Sequence, residues 1–209
     1  MSTFDHPTLI QNISHGMGTL RKAQPEAMQG FGQLAKAAMT EGLADPAGIP
    51  TAELNRLYGL WSDGGAGLLL SGNILVDGDH LERPGNVIID REPDAATHAA
   101  LSRWAAAATR NGNHFWAQIS HAGRQTQKAV NPHPKAPSAV KLGLPGGQFG
   151  QPVALTEEEI LNIIARFGTA ARVCKETGFT GVQIHAAHGY LFSQFLSPRA
   201  NLREDRWGG

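Results

Sequence analysis

Residues 178–209 read GFTGVQIHAAHGYLFSQFLSPRANLREDRWGG, and the first dozen of them decide the fold. Gly178 stops a helix. Gly181-Val182-Gln183-Ile184 is predicted to be a short strand, bounded by glycine and carrying β-branched residues. His185, His188 and Tyr190 then fall in the loop beyond it. Polar side chains gathered at the carboxyl end of a buried strand are where α/β proteins keep their chemistry.

Upstream of this strand stands the clearest helix in the chain. Thr156-Glu157-Glu158-Glu159 forms a capping box, in which the hydroxyl accepts the N–H of Glu159 and the carboxylate reaches back to the cap. Ile160, Ile163, Ile164, Phe167, Ala170, Ala171 and Cys174 make its apolar stripe. Before it lies a long loop over 120–153, rich in Gly, Pro, His and Ser; loops of this length in compact domains are commonly functional. A strand is expected over 114–119 (HFWAQI). The helix preceding it starts at about Thr97, faces inward with Leu101, Trp104, Ala105 and Ala108, and ends at Asn111-Gly112. Residues 77–95 form a polar loop with Pro84-Gly85 and Pro93. Residues 66–70 are an unbroken apolar run, the mark of a strand covered on both faces, ending at Ser71-Gly72-Asn73. Thr51 caps a helix with Leu54, Leu57, Tyr58 and Trp61 on one face, stopped by Gly64-Gly65. From Gln33 a short strand runs to near Met39. Residues 1–32 show no convincing period.

Strand and helix therefore alternate, which implies parallel strands with right-handed crossovers. The pattern fits an open doubly wound sheet or part of a (β/α)8 barrel, and does not choose between them. No G-x-G-x-x-G follows the first strand, which weakens the nucleotide-binding sheet.

The chain has 209 residues, 41% hydrophobic and 17% charged, with a formal net charge of zero and pI of about 7.1. That composition supports a packed core. It offers no basic patch for nucleic acid and no polybasic or amphipathic stretch for a membrane surface. The longest apolar run, near 68–70, is far too short to span a bilayer. The N-terminus lacks the basic start and apolar stretch of a secretory signal. A lone cysteine, Cys174, forms no internal disulfide. A cytoplasmic protein is the expectation.

Thr40, Gly72, Gln118 and His185 are each read as standing at or next to a strand end, and in a parallel barrel such ends share one rim. Each has an ordinary structural reading when taken alone. Thr40 could cap a turn, Gly72 could end a strand, Gln118 could bond a neighbouring backbone, and a lone histidine is more often structural than catalytic. Together with the long stretch they carry a resemblance. His185, His188, Gly189 and Tyr190, followed by Ser197, Pro198, Asn201, Arg203, Asp205, Trp207, Gly208 and Gly209, resemble the signature of the Old Yellow Enzyme family of flavin-dependent oxidoreductases. In that family H-x-x-H/N-G-Y precedes S-P-x-x-N-x-R-x-D-x-[YW]-G-G. Ala37-Ala38-Met39-Thr40 resembles the family's first-strand motif, with alanine at 38 where proline is usual.

The resemblance implies a (β/α)8 barrel of the TIM type, truncated to about its first four βα units. Residues 33–209 would be the N-terminal half of an FMN-binding barrel, preceded by a poorly patterned segment over 1–32. It implies FMN as cofactor and NADH or NADPH as reductant, with hydride passed to a small electrophile such as an enone. It implies that Ala38, Met39, Thr40, Gly72 and Gln118 bind the cofactor: backbone at 38 and 39 lining the ring, Thr40 at its carbonyl edge, Gly72 allowing close approach, Gln118 at the pyrimidine edge. It implies catalytic roles for His185 and His188, as donors to the substrate oxygen, and for Tyr190, as the acid. Arg124 in the HAGRQ stretch would shape the loop over the site or make a surface ion pair. A metal on the two histidines is the rival reading; their three-residue spacing without a third ligand argues against it. One cysteine cannot hold an iron–sulfur cluster. The alternative in another class is an inactive fragment or half-barrel that keeps the motifs, associating with itself or with a missing C-terminal half.

Overall fold

The computed structural model describes residues 34–208, so the segment over 1–32 lies outside the described residues. In chain order the elements are β1 (Ala35–Lys36), α1 (Ala52–Asp63), β2 (Leu68–Leu75), β3 (Val87–Ile88), α2 (Ala95–Ala108), β4 (His114–Ser120), β5 (Lys135–Ala136), β6 (Val153–Ala154), α3 (Glu157–Glu176), β7 (Gly181–Ile184) and α4 (Leu191–Phe195). The main sheet runs β1-β2-β4-β7, all parallel, and β3 adds a short rung beside the end of β2.

That order separates the two architectures the sequence pattern left open. A doubly wound sheet reverses its strand order at a switch point. Here each main strand joins beyond the one before, always outward from the same edge, as in the wall of a barrel. Phe115, Ala117 and Ile119 of β4 are fully buried in the core with the helices, while Trp116 and Gln118 between them are half-buried on the other face. The core is aromatic at its centre. Trp104 of α2 meets Tyr58 of α1 and Phe115 of β4 edge-on, each with ring centroids 5.2 Å apart, and Phe179 stacks on Phe115 at 4.5 Å. Edge-to-face contacts of this kind add to the area the rings remove from water.

The capping box of α3 is present. Thr156 Oγ1 accepts from the Glu159 N–H at 3.2 Å, and Glu159 Oε2 accepts from the Thr156 N–H at 2.8 Å. Within its stripe, Ile164 is 41% exposed and Val173 is buried instead. Helical spacing explains the exchange: 163, 167, 170 and 174 line one face, and 164 sits about 100° away on its flank. Thr51 stands at the cap of α1 but bonds elsewhere, donating to the Leu43 carbonyl at 2.6 Å. The second helix starts earlier than its period suggests, because Asp94 accepts from the Thr97 N–H at 2.7 Å and serves as cap. Gly178 takes φ +97° beyond the end of α3, the left-handed stop expected there. The loops over 77–95 and 120–153 hold the short strands β3, β5 and β6 and a 3-10 turn at Gly123–Gln125.

Two strand boundaries differ from expectation in ways that matter to the site. The first strand ends at Lys36, so 37–40 is free of the sheet. The second does not end at Ser71-Gly72-Asn73 but runs through it to Leu75. Leu70 pairs with Trp116 and Asn73 with Gln118, so two residues of β2 face one of β4. This is a β-bulge, a device that disrupts pairing locally and re-aims side chains. Side chains satisfy its backbone: the Gln118 N–H donates to Ser71 Oγ at 2.8 Å, and the Gly72 N–H to the Tyr58 hydroxyl oxygen at 3.2 Å.

Candidate active site

Gly72 occupies the bulge because nothing larger fits. A Cβ there would lie 2.5 Å from the Met39 carbonyl oxygen and 2.9 Å from the Thr40 Cα, and would also collide with the Glu41 carboxylate. The close approach is thus made first by the chain's own 39–41 segment, which crosses the end of β2 and carries Thr40 to the rim. Thr40 Oγ1 donates to Glu82 Oε2 at 2.6 Å, and Asn73 Nδ2 donates to the same oxygen at 2.7 Å. Arg83 closes the other carboxylate oxygen at 2.9 Å.

Across the sheet, Asn73, Gln118 and Gln183 stand in register on β2, β4 and β7. Residues in register share a face, so three amides form one row. Gln118 Nε2 donates to Gln183 Oε1 at 2.7 Å. Asn73 is 7% exposed, and its Oδ1 is buried with no partner.

Two residues past Gln183 on the same strand direction comes His185, which is buried. Its ring lies 5.1 Å from that of His188 and 4.8 Å from that of Tyr190, both edge-on. The Ala187 N–H donates to His185 Nδ1 at 3.3 Å, so a neutral ring carries its proton on Nε2. Burial pushes the His185 imidazole below its ordinary value, the neighbouring His188 adds to that, and Glu82 opposes it. A neutral imidazole with a fixed donor follows.

His188 takes φ +57°, a left-handed conformation uncommon for a residue with a side chain. The surroundings hold it there. Gln125 Nε2 donates to the His188 carbonyl at 2.6 Å. Gln194, fully buried, donates to the Gly189 carbonyl at 2.8 Å and the Ala122 carbonyl at 3.2 Å, and accepts from the Arg124 N–H at 3.2 Å. One amide thereby clamps the 187–190 turn to the turn after β4. Tyr190 caps α4, the short helix that anchors the turn from the other side. Burial pushes the Tyr190 phenol up, the Glu82 charge adds to it, and a hydrogen bond from Asn73 and the Arg83 charge pull it back.

The structure therefore gathers Met39, Thr40, Gly72, Gln118, His185, His188 and Tyr190 at one rim, with Ala38 on the segment leading into it. Arg124 stands apart: its guanidinium donates to the Val140 carbonyl at 3.1 Å and braces the long loop. The ion pair that sequence allowed for Arg124 is not among those of the described residues. Asn73, Glu82 and Gln183 were missed. Asn73 follows Gly72 directly, so a bulge would have revealed it; Glu82 lies in a patternless loop and gave no signal. The donor set fits a flat ring bearing N–H and C=O groups on one edge, because the orphaned Asn73 Oδ1 needs a donor and the Gln118 amide keeps capacity to donate and accept.

A family model described as the NADH:flavin oxidoreductase / NADH oxidase family matches residues 32–209. The NADH-dependent flavin oxidoreductase nadA of Aspergillus parasiticus is 43% identical over 176 residues, covering 81% of this chain and 39% of that protein. The metal reductase of Desulforamulus reducens is 41% identical over 166 residues, covering 78% of this chain and 24% of that protein. Among solved structures, the old yellow enzyme homologue of Zymomonas mobilis superposes with a TM-score of 0.74 at 30% identity, covering 85% of this chain and 50% of that one. Morphinone reductase superposes with a TM-score of 0.72 at 27% identity, covering 84% and 50%. These neighbours are (β/α)8 barrels, and the described strands correspond to about the first four βα units of that fold. The chain spans half the length, or less, of the curated relatives it matches. No helix among the described residues is long and apolar enough to cross a membrane.

Proposed function

Because the chain belongs to the NADH:flavin oxidoreductase / NADH oxidase family, we propose that its rim is the substrate side of an FMN-dependent oxidoreductase of the Old Yellow Enzyme type. NADH or NADPH is the reductant, and an activated alkene such as an enone is the acceptor. Residues 33–209 act as one barrel-wall unit in this reading. A cytoplasmic setting belongs to it too, resting on the single thiol, Cys174.

The observation that carries the reading is the convergence of His185, His188 and Tyr190 beside the amide row of Asn73, Gln118 and Gln183. FMN, when bound, would supply the two-electron hydride chemistry between the nicotinamide and the alkene. The protein binds, orients and moves the proton. Ala38 and Met39 present backbone to the ring, Gly72 keeps β2 free of a Cβ, and Gln118 addresses the pyrimidine edge. Thr40 contributes its oxygen as an acceptor, since its own proton is given to Glu82. His185 Nε2–H and the His188 ring hold the substrate carbonyl oxygen, where negative charge develops. Tyr190 gives its proton to the α-carbon and regains one from water. The product thus gains one hydride and one proton across the double bond.

The test is anaerobic titration of the purified chain with FMN, followed by NADH and then a simple cyclic enone. Stoichiometric flavin binding, bleaching by NADH and recovery of colour on adding the enone are expected. Tyr190→Phe should slow the recovery by about 10²-fold or more while leaving bleaching intact. Absence of flavin binding would sink the reading for this chain. That outcome would favour the second reading, a half-barrel that keeps the motifs without turnover. The specific observation behind the second reading is the outer edge of β7, unpaired among the described residues, with Ile184 48% exposed beside it.

A further inference from the structure

We propose that Glu41, gripped by Lys36 and Tyr58, is the positioning residue for the cofactor-facing segment 38–40. This rests on the reading of that segment as a flavin contact. The segment needs a grip because the sheet gives it none. β1 ends at Lys36, and among the described residues no backbone–backbone hydrogen bond holds 39–41. Side chains hold it instead. Thr40 is tied to Glu82. Glu41, the next residue, turns its carboxylate inward, where its side chain is 8% exposed.

Three groups meet there. The Lys36 ammonium donates to Glu41 Oε1 at 3.1 Å, to the Tyr58 oxygen at 3.2 Å and to the Leu70 carbonyl at 2.9 Å. An ammonium has three protons to give, so all are used. The Tyr58 hydroxyl donates to Glu41 Oε1 and accepts from the Gly72 N–H at 3.2 Å. The Lys36 charge also lies 4.3 Å from the centre of the Trp61 ring. Leu70 precedes the bulge and Gly72 lies within it, so backbone groups on both sides of the disrupted pairing end in this network. Glu41 Oε2 meanwhile fills the space that a Cβ on Gly72 would need. The network thus ties β1, α1 and the bulge to the residue that follows Thr40.

The use of charges is informative. Two ions this far from water cost desolvation that their attraction barely repays, and apolar residues of like volume often hold a fold as well. What apolar residues lack is direction. Lys36 and Tyr58 fix the Glu41 carboxylate at one point, and with it the Met39 carbonyl and the Thr40 Cα that pack over Gly72. The charges serve placement, and the atoms placed belong to the segment assigned to the flavin.

The experiment compares the unsubstituted 209-residue chain with Lys36→Met/Glu41→Leu, which removes both charges together and leaves no buried ion unpaired. Backbone order parameters from amide-nitrogen relaxation and FMN titration are measured on each. Order parameters at 39–41 should fall from about 0.85 to below about 0.6, while those of α3 stay as they were. The FMN dissociation constant should rise about tenfold or more, because the segment must then be ordered on binding. Rigid 39–41 in the folded variant, or FMN bound as tightly as before, would overturn the proposal. So would loosening spread over the whole chain, α3 included, which would make the triad ordinary fold support. Should the double variant not fold, Tyr58→Phe, which removes one oxygen, decides. Lost order at 39–41 with about tenfold faster exchange of the Gly72 amide supports the proposal; unchanged order at 39–41 overturns it. An unsubstituted chain that binds no flavin, with order at 39–41 lost in the variant, would count against the oxidoreductase reading and leave placement by Glu41 standing.

Discussion

Asp77 sits where the end of β2, the end of β4 and α3 meet. His80 Nδ1 lies 3.2 Å and His121 Nε2 3.6 Å from its Oδ2, and Arg166 reaches the same oxygen at 3.2 Å. Two histidines and a carboxylate could be mistaken for a metal site. The other ring nitrogens decide otherwise. The Lys135 N–H donates to His80 Nε2 at 2.8 Å and the Gly123 N–H to His121 Nδ1 at 3.0 Å, so the neutral rings carry their protons on the nitrogens facing Asp77. A metal needs those nitrogens bare, and Arg166 adds a cation where one would bind. The cluster is a clamp. Burial pushes the His121 imidazole down to about 4, against the pull of Asp77. Burial alone would raise the Asp77 carboxyl, but the His121 and His80 rings facing it outweigh that and hold it far below the ordinary range. Both groups bind protons more readily when unfolded, so stability is full above the unfolded histidine value of about 6.5 and falls as pH drops toward 4. Unfolding free energies from urea titrations at pH 7 and pH 4.5 should differ by roughly 2 kcal/mol from His121 alone; equal values would refute the clamp. Sequence showed none of this, because Asp77, His80, His121 and Arg166 share no motif and meet only through the fold.

At the scale of elements, α3 was legible almost residue by residue, because its cap and stripe are local. Thr156→Ala should cost about 1 kcal/mol, read as a shift in denaturation midpoint. The same substitution at Thr51 should cost less from capping, since that hydroxyl bonds a loop carbonyl instead. β2 was legible only to Leu70. Alternation from Leu68 and Leu70 would place Ile74 on the rim face and Asn73 with the helices; the bulge reverses both, and its cause is contact with 39–41, too far back along the chain to be visible to any local window. Gly72→Ala should push that segment off the rim and destabilise the chain by about 1–3 kcal/mol, with weakened flavin binding as the second readout. An unchanged melting curve would mean that 39–41 yields freely.

For the whole molecule, the alternation of strands and helices was readable, while the order β1-β2-β4-β7 was not, since two sheets share that alternation. The resemblance named the barrel, and the strand order supplies the physical reason. Among the described residues β1 and β7 each pair on one side only, and unpaired parallel edges are templates for further strands. Sedimentation of the 209-residue chain should show concentration-dependent association, and Ile184→Lys at the β7 edge should weaken it. A strict monomer at all concentrations would show that the edges are otherwise protected.

The bulge carries one last consequence, for insertions and deletions. Shortening a strand by a residue ordinarily turns everything after it inside out. At Gly72 the opposite holds: removing it would restore a regular ladder in which the asparagine still meets Gln118 and the isoleucine still meets Ile119. The sheet would survive that loss more easily than an added methyl group, and only the crossing 39–41 segment would find its perch gone.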